Sequence, residues 1–405
     1  MLSGQIIRAI IEEFDAPGFI YDLEGFRRRV EAFNKIFKTN ITGYYACKSN
    51  PLSDFIKIAA KAGFGADVAS LGELDQALRC GIDPGAVIVT GPAKSKKIFS
   101  RFIDRKVSRF VIESLNHLNW LNQCCMEQGT RAEVLLRVQL SWERDCHSVL
   151  GGHEISAFGL DPEQWRGLRI SDYPHLDFHG FHFFQWGNVL EIGDLLQIWK
   201  SSAMVGLELA RQLKIQPKTI DIGGGLGISY LNPAEEHDLA LEDVIGAYLE
   251  FAQGCGFESV YIEPGRFLSG PYGVYCSRIL DRKTVRGREL LILEGGSNHI
   301  LRPMLTGQGF PAQAFSMNND DQSPQELEEF YLHGPLCTAL DKLGNLSLPK
   351  STRPGDWLIF SQCGAYGFTE SMPFFLAHPL PFEVVVEHGE WVCRRFPQPP
   401  DHWLV

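Results

Sequence analysis

Residues 219–227 read Thr-Ile-Asp-Ile-Gly-Gly-Gly-Leu-Gly, and residues 261–266 read Tyr-Ile-Glu-Pro-Gly-Arg. Each stretch is a β-branched run that ends in a glycine-bearing turn, where backbone N–H groups are uncovered by side chains and can converge on an anion. The common phosphate site of a (β/α)8 barrel follows strands 7 and 8. The fold can therefore be tested by asking whether these two runs are the last two strands of such a barrel.

Eight apolar or β-branched runs fit the parallel strands of a barrel. They are 41–47, 65–70, 86–91, 109–113, 132–139, 177–184, 219–222 and 259–263. The intervening segments carry helical periodicity, most clearly at 23–37, 71–80, 115–126, 195–213 and 241–251, and are long enough for crossover helices. The sequence therefore predicts an α/β fold with a TIM-like (β/α)8 barrel. A single doubly wound α/β domain with a β tail stays open as the alternative.

The pattern changes after the eighth run. From Tyr272 onward, short runs are separated by turn signals at 270–271, 295–296, 344–345, 354–356 and 388–389. This predicts a C-terminal, mostly antiparallel β domain, whose sheet the short strand at 16–21 could join. We expect a cofactor-binding barrel at 22–270 and a β-sandwich or barrel-like domain built from 1–21 plus 271–405.

Composition and charge exclude several classes of protein. The 405 residues carry a net charge of −11, which disfavours nucleic acid or an anionic membrane as the main partner. No apolar run approaches the roughly 20 residues that span a bilayer, and Glu12, Glu13 and Asp15 interrupt any signal-peptide core. We expect a cytoplasmic protein. The 10 cysteines form no CxxC pair, so no metal site is predicted.

Lys48 is the first candidate for chemistry. It closes an apolar strand in Tyr-Tyr-Ala-Cys-Lys-Ser-Asn-Pro at 44–51. At the mouth of a barrel, partial desolvation would favour the neutral amine, which attacks carbonyl groups. The alternative is a solvated surface charge. If the glycine turns hold the phosphate of a cofactor, Lys48 would hold its reactive end.

These motifs resemble those of the fold-type III pyridoxal-phosphate decarboxylases, the group of the diaminopimelate, ornithine and arginine decarboxylases. The resemblance covers nearly the whole chain and rests on five ordered motifs. They are the lysine motif at 44–51, Gly-Ala-Asp-Val-Ala-Ser-Leu-Gly-Glu at 65–73, the glycine turns at 223–225 and 263–266, Gly-Pro-Leu-Cys at 334–337 with Asp341, and Gly-Ala-Tyr at 364–366. By this resemblance the chain is identified as a member of the group.

The resemblance implies a role for each matching residue. Lys48 would form the Schiff base with pyridoxal 5'-phosphate, and Glu263 would pair with the ring nitrogen, unless it only caps the loop after strand 8. Cys337 would protonate the carbon that loses carbon dioxide, acting from the partner subunit of a homodimer with shared active sites; otherwise it is a small buried apolar residue. The residues expected at the phosphate are Gly223, Gly224, Gly225, Gly265, Arg266 and Tyr366.

Two departures from the group bear on the small-molecule substrate. Relatives that act on ornithine or diaminopimelate have Asp or Glu after the cysteine, where it receives the distal ammonium, whereas this chain has Thr338. A buried cation there would lack its partner at a cost of about 2–5 kcal/mol. Arg302, in an Arg-Pro pair that matches the group, can fork onto a carboxylate, or it forms a salt bridge. Arg302, Thr338 and Asp341 are the predicted substrate-binding residues.

A third departure lies in strand 6, which reads Gly-Phe-His-Phe-Phe-Gln-Trp-Gly-Asn at 180–188 where the group has Gly-Leu-His-x-His-x-Gly-Ser. Strand alternation puts His182 and Phe184 on one face. Phe184 then takes the place of the histidine that stacks on the cofactor ring, and Asn188 is a further predicted cofactor contact. The extra residue could instead move Gln185 into that place, or Phe184 could be packed in the barrel core.

Taken together, the residues predict a lyase, a pyridoxal-phosphate-dependent decarboxylase of an amino-acid unit. A pocket with Arg302 but no acid after Cys337 suits a substrate whose far end is neutral or carries a carboxylate. The branch that acts on citryl-amino-acid conjugates in siderophore biosynthesis looks like the closer match. The alternative is diaminopimelate decarboxylase of lysine biosynthesis. An amino-acid racemase would need a tyrosine opposite the lysine, and a non-catalytic cofactor carrier would lack the β domain.

Overall fold

The structure is a computed structural model that describes residues 2–141, 156–231, 236–317, 326–400 and 404. The described residues form two compact units. One unit comprises Arg27–Ile228 and Asp238–Leu268, and the other comprises Met1–Phe26, Ser229–His237 and Ser269–Val405. We call them the barrel unit and the β unit.

The barrel unit contains a closed barrel of parallel strands. In chain order, the strands are Ile41–Ala46, Gly65–Val68, Val87–Val89, Arg109–Ile112, Ala132–Arg137, Leu176–His182, Thr219–Asp221 and Ser259–Ile262. Each of the eight predicted runs overlaps one of them, and the last strand pairs with the first. The prediction of a (β/α)8 barrel is confirmed, and closure of the sheet excludes the doubly wound alternative.

Helices follow the strands and are started by local side chains. Ser70, Ser95 and Ser114 each accept a hydrogen bond from the backbone N–H three residues later, which fixes the first turn of the helix that follows. The α-helices are Gly4–Phe14, Leu23–Ala32, Ser53–Lys61, Leu71–Arg79, Lys96–Asp104, Leu115–Gln128, Pro162–Arg166, Ile192–Leu213, Leu241–Gly254, Arg266–Ser269 and Arg302–Thr306. Within the described ranges, none of these helices is long and apolar enough to cross a membrane.

The interior of the barrel is filled by side chains. A buried cluster is formed by Tyr44, Ile88, Val111, Leu135 and Tyr261, which come from strands 1, 3, 4, 5 and 8. The rings of the two tyrosines meet edge to face, with their centroids 5.2 Å apart. The barrel is thus a packed core, and its chemistry is confined to the strand ends.

The β unit is built on a mixed but mostly antiparallel sheet. Its described strands are Gly18–Asp22, Gly273–Val285, Arg288–Leu293, Ala312–Phe315, Leu327–His333, Lys342–Pro349, Trp357–Phe360, Phe382–Glu387 and Glu390–Arg395. The predicted N-terminal strand is confirmed, since Gly18–Asp22 pairs antiparallel with Gly273–Val285 and parallel with Phe382–Glu387. One predicted turn is wrong: Gly344 lies inside a strand, at a bulge where its φ is 103°.

Candidate active site

Polar and charged side chains gather where the barrel strands end. Because all the strands are parallel, their carboxyl ends lie at one rim. The rim carries Lys48, Asp67, Thr90, Glu113, Arg137, His182, Asp221 and Glu263. All of these except Lys48 are buried. We call them the rim cluster. Withdrawing so many charges from water is costly, and such clusters of buried titratable groups are typical of functional sites.

Lys48 lies in a short turn, Cys47–Ser49, directly after the first strand. Its Nζ is 2.6 Å from Oδ2 of Asp67, and the lysine side chain is 40% exposed, whereas that of Asp67 is 1% exposed. The second oxygen of Asp67 accepts a hydrogen bond from the Thr90 hydroxyl at 2.5 Å. The amine is thus partly withdrawn from water, and the aspartate is the more strongly desolvated partner. Burial, and then the nearby carboxylate of Glu263, raise the pKa of Asp67.

Glu263 follows the eighth strand and is 5% exposed. Its Oε2 is 3.4 Å from Nε2 of His182, and its Oε1 has no hydrogen-bond partner among the described residues. Burial alone would raise the pKa of this carboxyl, but the His182 ring, Lys48 and Arg137 bring the pKa to about 2. Glu263 is thus a buried anion with one oxygen available to a ligand.

Asp221 ends the seventh strand beside Glu263. Its Oδ1 accepts a hydrogen bond from the Gly223 N–H at 2.8 Å, which fixes the start of the glycine turn. Burial, reinforced by the Glu263 charge, raises the pKa of Asp221 well above its usual range. Two carboxyls this close cannot both ionise at low cost, so the raised pKa of Asp221 favours ionisation at Glu263.

The two glycine turns are packed against each other at the rim. A Cβ at residue 224 would lie 2.7 Å from the backbone oxygen of Glu263, and a Cβ at residue 265 would lie 2.9 Å from Cβ of Ser49. Gly223 and Gly225 have φ of 63° and 85°, which favour glycine. Side chains are thereby kept off the turn. Because the Gly223 N–H already donates to Asp221, the amides of Gly224 and Gly225 are the ones left for an anion. In the described residues that directly follow this turn there is no helix, so no helix dipole adds to the attraction of an anion here.

The residues after strand 6 take different places. The Phe184 ring lies against Gly223, since a Cβ on that glycine would be 2.8 Å from Cδ2 of the phenylalanine. Gln185 is turned away: its Nε2 donates to the Val138 carbonyl at 3.0 Å, and its Oε1 accepts from the Leu140 N–H at 3.1 Å. Asn188 accepts a hydrogen bond from the Ile228 N–H at 3.0 Å. This arrangement favours Phe184 over Gln185 beside the phosphate turn.

The β unit holds the cysteine loop. Cys337 is exposed, so the alternative of a buried apolar residue is wrong. The loop is clamped by Asp341, whose two oxygens accept hydrogen bonds from the backbone N–H groups of Leu336 at 2.8 Å and Ser297 at 2.7 Å. Asp341 is 1% exposed. Its carboxylate therefore holds the loop in shape, and a contact with substrate stays a prediction.

Arg302 and Tyr366 lie together in the β unit. The Arg302 side chain is 11% exposed, and its Nη1 donates to both carboxylate oxygens of Glu370 at 3.1 and 3.3 Å. The guanidinium carbon lies 4.8 Å from the centre of the Tyr366 ring. The salt bridge considered from the sequence is therefore present, and it places a charged pair directly beside the tyrosine expected at the phosphate.

Sequence reasoning missed seven site residues, which are Asp67, Thr90, Glu113, Arg137, His182, Asp221 and Glu370. Asp67, His182 and Asp221 stand inside quoted motifs, and their signal was available as polar residues at the ends of predicted strands. Glu370 had no local signal, because it is 68 residues from Arg302 and meets it only in the fold.

The family is shown by comparison. The family described as the pyridoxal-dependent decarboxylase, pyridoxal binding domain, matches residues 23–270. The chain belongs to this family. It is a pyridoxal-phosphate-dependent decarboxylase, as the resemblance of its motifs implied.

Relatives and solved structures extend over almost the whole chain. The L-glutamyl-[BtrI acyl-carrier protein] decarboxylase of Niallia circulans is 24% identical and covers 96% of this chain and 93% of its own length. The 2-[(L-alanin-3-ylcarbamoyl)methyl]-2-hydroxybutanedioate decarboxylase of Staphylococcus aureus is 25% identical, with coverage of 93% and 97%. The diaminopimelate decarboxylase of Helicobacter pylori is 24% identical, with coverage of 97% and 96%. A crystal structure of a diaminopimelate decarboxylase from Helicobacter pylori with L-lysine has a TM-score of 0.85 at 22% identity, and the match covers 98% of each chain.

The rim cluster fits pyridoxal phosphate. Oε1 of the anionic Glu263 is buried and unpaired among the described residues, which suits a protonated ring nitrogen. The Gly223 N–H is taken by Asp221, whereas Gly224 and Gly225, which carry no side chain, leave their amides for a phosphate. Lys48 supplies an accessible amine at the same rim.

Proposed function

We propose that this decarboxylase acts on an amino-acid unit already joined to a carboxylate-bearing, citryl-type group, in siderophore biosynthesis. The residue after the cysteine carries the proposal. Thr338 is half-buried, and its Oγ1 accepts a hydrogen bond from the Leu340 N–H at 3.2 Å. A hydroxyl offers no charge to a distal ammonium, and a buried ammonium without its acid would cost about 2–5 kcal/mol.

Two relatives support a conjugated substrate. The name of the Staphylococcus aureus relative describes an alanine unit joined through a carbamoyl group to a 2-hydroxybutanedioate. The name of the Niallia circulans relative describes a glutamyl unit on an acyl-carrier protein. In both cases the amino-acid unit belongs to a larger molecule, as we propose for this chain.

When bound, pyridoxal phosphate supplies an electron sink for the pair left behind as carbon dioxide departs. Lys48 would hold the carbonyl carbon of the cofactor through Nζ, and Asp67 fixes where that amine stands. Glu263, as a buried anion, would keep the ring nitrogen protonated. The Gly223–Gly225 turn, through the amides of Gly224 and Gly225, would hold the phosphate together with Gly265, Arg266 and Tyr366. Phe184 would cover the ring, and Asn188 would border it.

We assign the proton donor to Sγ of Cys337. The exposed thiol can reach a substrate, and the hydrogen bonds that Asp341 accepts from the backbone limit the movement of the loop. The proton passes from Sγ to the carbon that has lost carbon dioxide. Arg302 would bind a carboxylate at the far end of the same substrate.

We also propose that the cysteine loop acts in the partner subunit of a homodimer. Exposed apolar side chains flank the two loops that carry Cys337 and Tyr366. Leu340 is 63% exposed and Phe374 is 60% exposed. Exposed apolar side chains beside functional loops favour a protein interface, and a two-fold dimer would cover them in both subunits.

The test is a substrate panel. The holoenzyme is incubated with citryl-amino-acid conjugates and with free diamino acids, and carbon dioxide release is followed. We expect a higher kcat/KM for the conjugates. Arg302→Ala should lower that value by about 2–4 kcal/mol, roughly 30- to 1000-fold, with cofactor loading unchanged. A preference of the wild type for diaminopimelate sinks the proposal.

Diaminopimelate decarboxylase is the second candidate, and Glu370 is the observation that favours it. Its carboxylate lies beside Arg302, where it could receive the ammonium that Thr338 cannot. Thr338→Glu restores the acid after the cysteine. It should improve relative turnover of diaminopimelate and repel a carboxylate-bearing conjugate.

A further inference from the structure

Within the β unit, the Arg302 guanidinium contacts two side chains, those of Glu370 and Tyr366. Nη1 of Arg302 donates to both oxygens of Glu370, and the guanidinium packs 4.8 Å from the centre of the Tyr366 ring. The arginine starts the short helix Arg302–Thr306, whereas the glutamate and the tyrosine come from the loop after the strand Trp357–Phe360. Arg302 and Glu370 are therefore brought together by the fold, since they are not neighbours in the sequence.

The pair keeps hydrogen-bonding capacity of both kinds. Arg302 has five N–H donors, and only those on Nη1 contact Glu370. Nη2 and Nε make no hydrogen bond to any residue that the structure describes. The Glu370 side chain is 33% exposed, and a carboxylate has about four acceptor sites, of which Arg302 uses two. A ligand can therefore meet a cationic donor edge and an anionic acceptor side by side.

We propose that Glu370 is a specificity-determining residue that acts together with Arg302. The pair recognises a carbon atom at the distal end of the substrate that carries both a carboxylate and a hydrogen-bond donor. The carboxylate is bound by the unused donors of Arg302, and the donor is accepted by Glu370. This inference rests on the proposed function, which assigns Arg302 to the distal carboxylate.

Glu370 also accounts for selectivity in a way that Arg302 alone does not. A lone guanidinium would accept any carboxylate, whereas Glu370 repels a carboxylate that brings no donor. Two sources share the required chemistry: a 2-hydroxy acid, as in a citryl group, and a 2-amino acid, as at the far end of diaminopimelate. They differ in charge, because the hydroxyl is neutral and the ammonium is cationic.

The test uses two matched pairs of probes, with binding to the holoenzyme measured by calorimetry. Citrate and tricarballylate differ only by the hydroxyl, and meso-diaminopimelate and pimelate differ only by the amino groups. We expect wild type to bind citrate about tenfold or more tighter than tricarballylate. Glu370→Ala should abolish this preference. Glu370→Gln should keep part of it, since an amide still hydrogen-bonds a hydroxyl.

A control separates specificity from general loss of an ion pair. Glu328→Gln removes an acid of similar exposure, 32%, that lies 3.0 Å from Arg282 in the same unit. It should leave all four affinities unchanged. The absorption spectrum of the bound cofactor shows whether each variant is folded and loaded, and Glu370→Gln serves if Glu370→Ala does not fold.

The outcomes distinguish the inference from the proposed function. If diaminopimelate is the probe preferred over its partner, and Glu370→Gln removes that preference, the inference stands and the citryl proposal fails. If Glu370→Ala and Glu370→Gln bind every probe as wild type does, the inference is wrong. The inference is also wrong if wild type shows no preference in the citrate pair and none in the diaminopimelate pair. Failure of all four probes to bind counts as this result.

Discussion

Replacing Gly224 by alanine tests whether the two glycine turns form one cofactor-binding surface. A Cβ at this position would lie 2.7 Å from the backbone oxygen of Glu263. That neighbour is backbone and cannot rotate away, so one of the turns must move. Overpacking of this kind costs about 1–3 kcal/mol. If the cost falls on the bound state, the cofactor should bind about 5- to 150-fold more weakly, since about 1.4 kcal/mol is tenfold.

The assay is a fluorescence titration of the apoprotein with pyridoxal phosphate, together with thermal unfolding of each apoprotein. Gly246→Ala is the matched control. This glycine lies in the helix Leu241–Gly254, and a Cβ there would meet nothing within 4 Å. The control should bind the cofactor as wild type does and gain up to about 1 kcal/mol of stability, because alanine favours a helix.

Two results would refute the reasoning about Gly224. If cofactor affinity and melting temperature both stay at the wild-type values, the close approach to Glu263 does not matter. If the melting temperature falls but affinity stays within twofold of wild type, the glycine serves the fold and not the cofactor.

Three further predictions follow from single residues. Borohydride reduction of the holoenzyme, then digestion and mass spectrometry, should place the pyridoxyl label on Lys48; a label on another lysine contradicts the assignment. Mixed Lys48→Ala and Cys337→Ala subunits should recover at most about a quarter of wild-type activity in a two-fold dimer, and no recovery between dimeric mutants rules out shared sites. Burial lowers the pKa of His299 from 6.5 to about 4. Between these pH values the unfolded chain therefore binds more protons than the folded chain. The free energy of unfolding should fall by up to about 3 kcal/mol as the pH drops from 6.5 to 4. Urea unfolding of His299→Gln should show a shallower decline over the same range, and an equal decline contradicts this origin.

The barrel could be predicted because its signals are local. Each strand is a short apolar run, and several of the following helices begin at a serine cap. The β unit was harder, because its pairings join distant segments. Gly344 shows why: its glycine suggested a turn, but pairing with Leu332 keeps it in a strand with a bulge. A glycine marks an unusual backbone, and only the partner strand decides which kind.

The candidate site was predictable where its residues lie at the ends of predicted strands. Lys48, Glu263 and the glycine turns sit at strand ends, and parallel strands bring all such ends to one rim. The ion pair of Lys48 with Asp67 could not be derived from the sequence in this way. Both stood in quoted motifs, but only the fold shows the amine 2.6 Å from that carboxylate. Glu370 was out of reach, since its partner lies in another segment of the β unit.

The rim cluster explains how one carboxylate can stay ionised among several. Asp67, Asp221 and Glu263 are all buried, and like charges so close would raise one another's pKa. The three carboxyls differ in environment. Lys48 pairs with Asp67, burial raises the pKa of Asp221, and the pKa of Glu263 is about 2. Of these three carboxyls, Glu263 is the one that has both a lowered pKa and an oxygen with no hydrogen-bond partner among the described residues. Its neighbours therefore make Glu263 the one member of the three suited to a cationic ring nitrogen, a consequence of the whole rim that no single motif expresses.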